Sequence, residues 1–72
     1  MSNKAIADGL KRRRLELKLS AQEVVDYLAK NGYKVAVKTV YGWENDVSSP
    51  KVGMFLKLCE LYQIDDPLHY FS

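Results

Sequence analysis

Helix-boundary residues recur so closely along this 72-residue chain that no long element fits between them. Ser20 with Glu23 three residues later forms a capping box, the reciprocal pairing that opens a helix. Asn31-Gly32 is a stop, because glycine takes the left-handed conformation past a last helical turn without penalty. Ser49-Pro50 and Asp66-Pro67 each offer an N-cap followed by a proline suited to the first helical position. The periodicity between these signals is helical. Ile6, Leu10, Arg14 and Leu17 share one face of a segment near 4–18, which Ser2 or Asn3 would cap. Further helices are expected near 21–30, 37–45 and 50–62, with a last short turn through Leu68 to Phe71. Tyr33 to Ala36 is expected as a loop or short extended segment. Four glycines and two prolines are too few for an all-β chain of many turns. The fold class is therefore all-α, a compact bundle of five short helices in one domain over 1–72.

Composition narrows the function. With 47% of its residues apolar the chain needs no disulfide framework, and its one cysteine, Cys59, has no internal partner. A reducing, cytoplasmic setting is expected. There is no run of about 18 uncharged apolar residues and no signal-peptide pattern, so no membrane partner is expected. The net charge of +2 conceals an asymmetry. Residues 1–38 carry nine Lys and Arg against four Asp and Glu, a net of +5; residues 39–72 carry two against five, a net of −3. A basic first half suits a polyanion.

The segment near 37–45 has two chemically different faces. Val37, Val40 and Trp43, with Glu44, point one way; Lys38, Thr39, Tyr41, Gly42 and Asn45 point largely the other. A helix that enters a DNA major groove, about 12 Å wide, needs one face fixed to its own protein and donors on the other. Gly42 in mid-helix costs roughly 1 kcal/mol against alanine, which a close backbone approach would explain.

Leu19-Ser20-Ala21-Gln22-Glu23-Val24-Val25, then Lys38-Thr39-Val40-Tyr41-Gly42-Trp43-Glu44-Asn45, then Ser49-Pro50 and Phe55-Leu56-Lys57-Leu58-Cys59, together resemble the lambda-repressor-like helix-turn-helix family of phage Cro and Xre-type regulators. The resemblance spans roughly residues 5–71. It implies that helices two and three form the helix-turn-helix and that a homodimer binds a palindromic operator in double-stranded DNA as a repressor. By position it places Lys38, Thr39, Tyr41 and Gly42 at bases, and Asn45, Ser48, Ser49 and Lys51 at phosphates. Ala21 stands where the family usually has a phosphate-binding glutamine, with Gln22 next to it. The turn from Asn31 to Ala36 is longer than usual, and Asp46 replaces the glycine that usually follows Glu-Asn. The chain is either a whole small regulator or the amino-terminal part of a longer one.

Other residues are weighed against plainer roles. Arg14 lies on the apolar face of the first helix and so requires a partner, for which Glu44 is expected, as the resemblance also implies. Arg12 and Arg13 read as a solvated face, Trp43 and Cys59 as core. Lys34, beside Tyr33 in the long turn, is a candidate phosphate grip or an ordinary loop residue. Leu68, Tyr70 and Phe71 either close the core or form a dimer seam. One cysteine and one histidine, His69, give neither a metal-ligand set nor a nucleophile-base pair, so no enzyme, metal, cofactor or small-molecule substrate is expected. The alternative to DNA binding is a protein-interaction module, an antitoxin or adaptor on the same helical frame.

Overall fold

A computed structural model of the protein describes residues 4–72; the expected caps Ser2 and Asn3 lie outside them. Five α-helices follow in chain order: α1 (Lys4–Glu16), α2 (Ala21–Lys30), α3 (Val37–Glu44), α4 (Val52–Leu61) and α5 (Pro67–Tyr70). There is no strand among the described residues, and no described helix is long and apolar enough to cross a membrane. The fold is all-α.

The start of α2 is set by purely local chemistry. Ser20 accepts the Glu23 backbone N–H at 3.0 Å, and the Glu23 carboxylate accepts the Ser20 N–H at 2.9 Å. Two otherwise orphaned donors are thereby satisfied. At α5, Asp66 caps the His69 N–H and Pro67 takes the first position. The start of α4 departs from expectation. Its N-cap is Lys51, which makes no side-chain cap bond, and the helix begins at Val52 rather than Pro50. Pro50 instead shares a shallow apolar depression with Ile6 and Phe55. Pro50 and Phe55 occupy the two positions that a hydrophobic staple pairs across a helix start.

One C-terminal device closes four helices. After α1 the Leu19 N–H bonds the Arg14 carbonyl at 3.0 Å and the Lys18 N–H bonds that of Leu15 at 3.0 Å. Tyr33 and Gly32 repeat this on Leu28 and Ala29, Val47 and Asp46 on Gly42 and Trp43, and Ile64 and Gln63 on Cys59 and Glu60. This is the Schellman arrangement, which needs a left-handed residue after each helix. Only Gly32 (φ 87°) supplies it as glycine; Lys18, Asp46 and Gln63 adopt φ 58° despite their side chains. The first helix consequently stops at Glu16, short of the expected Lys18.

The core lies among α1 to α4, with Leu10, Val24, Leu28, Val40, Leu58 and Tyr62 almost wholly enclosed. Cys59 is buried as well, and its thiol is pushed up from its ordinary pKa by desolvation. α3 packs against both α1 and α2, and α2 packs against α4. At the carboxyl end the expected group divides. Tyr70 and Phe71 are half-buried and pack on the core, whereas Leu68 is 89% exposed. Phe71 lies 5.4 Å from the Phe55 ring and rests on Gly9, where an added Cβ would stand 2.5 Å from its ring. Glycine in the middle of α1 is thus the space that seats Phe71.

Candidate nucleic-acid interface

What fixes α3 is a buried ion pair. Arg14 and Glu44 have side chains only 9% and 3% exposed. The guanidinium donates from Nε to Glu44 Oε2 at 2.6 Å and from Nη2 to Oε1 at 2.9 Å. Its remaining Nη1 donates to the Leu19 carbonyl at 2.9 Å, in the turn between α1 and α2. Such a two-pronged geometry offsets the desolvation that isolated buried charges would suffer. The hydrogen bond that Arg14 donates to Glu44 raises the arginine's pKa against an opposing desolvation, so the arginine stays cationic. With Val40 and Trp43 buried on the same side, α3 is tied to α1, to the α1–α2 turn and to the core.

The opposite side of α3 is open. Lys38, Tyr41 and Asn45 are exposed, while Thr39 and Gly42 are half-buried. Tyr41 stands 46% exposed, its ring centroid 5.9 Å from the Arg14 guanidinium carbon. Gly42 has a role within the chain: its carbonyl accepts N–H groups of Val47 and Ser48, and an added Cβ would meet Ser48 Oγ at 3.3 Å. Ser48, Ser49 and Lys51 follow as an exposed loop.

Lys34 and Lys51 come from loops far apart in sequence, yet these loops meet. The Tyr33 hydroxyl lies so close over Gly53 that any side chain there would collide with it. Residue 33 therefore sets the α2–α3 loop against the first turn of α4, beside Lys51. Sequence reasoning missed this contact; a glycine at the second position of α4 was its one visible trace. Among the described residues, Lys34, Lys38 and Lys51 pair with no carboxylate. Glu44 is neutralised by Arg14, so Asp46 is the one exposed acid along residues 34–51. The surface balance there is positive.

Other candidates are engaged elsewhere. The Gln22 amide donates to Asp26 Oδ1 at 2.9 Å, one helical turn along α2. Arg12 donates to the Tyr70 hydroxyl at 3.2 Å and lies 4.8 Å from the centre of its ring. Arg13 donates to the Tyr62 carbonyl at 2.7 Å and pairs with Glu16 at 3.3 Å. Arg12 and Arg13, expected as a solvated face, instead make contacts of their own, Arg12 from an exposed position to α5 and Arg13 to the end of α4, beside the expected brace of Arg14 on α3. Among the described residues no group of acidic, histidine and cysteine side chains is placed to hold a metal ion.

No protein-family model, curated protein or solved structure matches the chain.

Proposed function

We propose that this chain is a sequence-specific double-stranded DNA-binding regulator that reads the major groove with α3, in the manner of the lambda-repressor-like helix-turn-helix family it resembles. One observation carries the reading. α3 is anchored through Val40, Trp43 and the Arg14–Glu44 pair, while its far side presents Lys38, Tyr41 and Asn45 to solvent. A reading helix needs that combination, because base-edge contacts require a donor-bearing face held rigidly to its own domain. Lys38 is suited to a guanine edge, with Thr39 and Tyr41 beside it. Lys34, Lys51, Asn45, Ser48 and Ser49 would set the register on phosphates, which position the protein without specifying sequence. Repression follows from occupying promoter DNA and requires no catalytic step.

Selection of bound sequences from a randomised duplex library at about 0.1–0.15 M salt tests this, since non-specific binding is weak there. The expected result is an enriched inverted repeat with half-site centres about one helical turn apart. No enrichment, with binding that vanishes at modest salt, would refute it.

A second reading, a protein-interaction module, is favoured by Val47, 80% exposed in the loop next to the same face. Lys38→Glu separates the two. Under the DNA reading it abolishes duplex binding; under the other, partner binding persists and shows little dependence on salt.

A further inference from the structure

The starts of α3 and α4 lack the device that opens α2 and α5. Ser20 and Asp66 cap the latter pair with their side chains, whereas Ala36 before α3 and Lys51 before α4 make no side-chain cap bond. What joins the two uncapped starts is Tyr33. Its N–H closes the end of α2 on the Leu28 carbonyl at 2.9 Å, and its side chain crosses to the first turn of α4. There the hydroxyl lies against Gly53, with ring atoms Cζ and Cε1 3.2 and 3.5 Å from where a Cβ would stand. One side chain thus ties the loop of residues 31–36, which leads from α2 into α3, to the start of α4. Tyr33 is itself half-buried and packs on the core, so the tie has a fixed anchor.

The segments so joined carry charge. Lys34 follows Tyr33 directly, and Lys51 stands two residues before Gly53; both are exposed, and neither pairs with a carboxylate among the described residues. A lysine adds to duplex affinity through the counterions it displaces at a phosphate. On a loop free to wander, part of that gain is lost in ordering the loop. We infer that Tyr33 is a positioning residue for phosphate binding: it holds the Lys34 loop against α4, so that Lys34 reaches the duplex backbone in fixed register with Lys51. Tyr33 acts through Lys34 rather than by touching nucleic acid. The inference rests on the reading of this surface as a duplex-binding face.

Equilibrium binding to a mixed-sequence duplex between about 0.05 and 0.2 M salt reads the phosphate contacts without an operator, because they are independent of sequence. Lys34→Gln should reduce the steepness of log affinity against log salt by about 1 and weaken binding about tenfold at the lowest salt. Tyr33→Ala should do the same with Lys34 still present, and the two changes together should do no more than either alone. Gly53→Ala, which leaves Tyr33 in place but puts a methyl where its hydroxyl lies, should give the same loss should Tyr33→Ala fail to fold. Tyr33→Phe keeps the ring on Gly53 and should bind as the wild type does. Gly9→Ala disturbs Phe71 instead and should cost stability without altering the binding, at a temperature where circular dichroism shows every variant folded. A salt dependence unmoved by Lys34→Gln or by Tyr33→Ala, additive losses from the two, or an equal loss in Gly9→Ala would overturn the positioning role and leave the duplex reading standing. A wild type that binds no duplex at about 0.05 M salt would overturn both.

Discussion

Replacing Glu44 with glutamine keeps the volume of the side chain and removes only its charge and one acceptor. In the native protein Glu44 takes two of the three hydrogen bonds that Arg14 donates, at 2.6 and 2.9 Å. Glutamine would accept one of these and turn its amide donor toward the guanidinium for the other. A cation would be left in a site where its side chain is 9% exposed, with no counter-charge. Removing one partner of a buried pair costs about 3–5 kcal/mol, and the surviving acceptor places Glu44→Gln near the lower figure. Domains of this size hold about 4–11 kcal/mol in total, so the loss is a large share of it. At about 4–8 °C per kcal/mol the melting temperature should fall by at least about 12 °C. Thermal and urea unfolding measure the change, by circular dichroism and by fluorescence of Trp43, the one tryptophan, buried on α3. The double variant Arg14→Met with Glu44→Leu should recover most of the loss, because apolar residues replace a buried pair with little penalty. A single-variant loss below about 1 kcal/mol, as for a surface ion pair, would refute the burial argument. So would strict additivity in the double variant.

Asp46→Gly should stabilise the fold by roughly 1 kcal/mol, seen as a higher midpoint at unchanged urea slope, because it relieves a left-handed non-glycine residue at φ 58°. The same change removes the one exposed acid along residues 34–51, so duplex affinity should rise with it. Gly9→Ala should destabilise by about 1–3 kcal/mol, since the new methyl must displace Phe71; Gly42→Ala, which meets only Ser48 Oγ at 3.3 Å, serves as a mild control in the same melts. Stability should fall as pH rises above about 9. Burial raises Cys59 above its ordinary value of 9.0, and burial followed by the charge of Glu44 raises Tyr62 far above 10.0. The unfolded chain releases those protons first, so alkali favours it, and below the ordinary values the full stability is present. Melting temperatures between about pH 8 and pH 11 check the sign, and Tyr62→Phe should flatten the part above about pH 10.

Features written in neighbouring residues were legible in the sequence. Both bounds of α2 follow from Ser20, Glu23 and Gly32, because the capping box and the left-handed stop are closed by atoms a few positions apart. The Arg14–Glu44 contact was legible for a different reason: a charge on the apolar face of a helix demands a partner, and Glu44 lies beside the inward Trp43, where the family resemblance also implies such a pair. The end of α1 was obscured because Lys18 does the work usually given to glycine, whereas α3 and α4 end within one residue of expectation although Asp46 and Gln63 take the same left-handed role. The start of α4 was misread because Pro50, which fits a first helical turn, is used in packing with Ile6 and Phe55. The roles of Arg12 and Arg13 had no signature at all. One holds a tyrosine at a separation of 58 residues, and the other a backbone carbonyl, which every residue possesses. In the candidate interface, the two faces of α3 followed from helical spacing, but the meeting of the Lys34 and Lys51 loops depends on Tyr33 over Gly53.

The three arginine braces also order events during synthesis. α1 is translated first, yet its partners Glu44, Tyr62 and Tyr70 emerge 30, 49 and 58 residues later. At about 5–20 residues per second, the last of these contacts waits several seconds for its other half. The capping box of α2 needs no such delay. On a ribosome, then, α1 emerges well before the partners that secure it, and its arginines are tied down one after another, Arg14 first and Arg12 last.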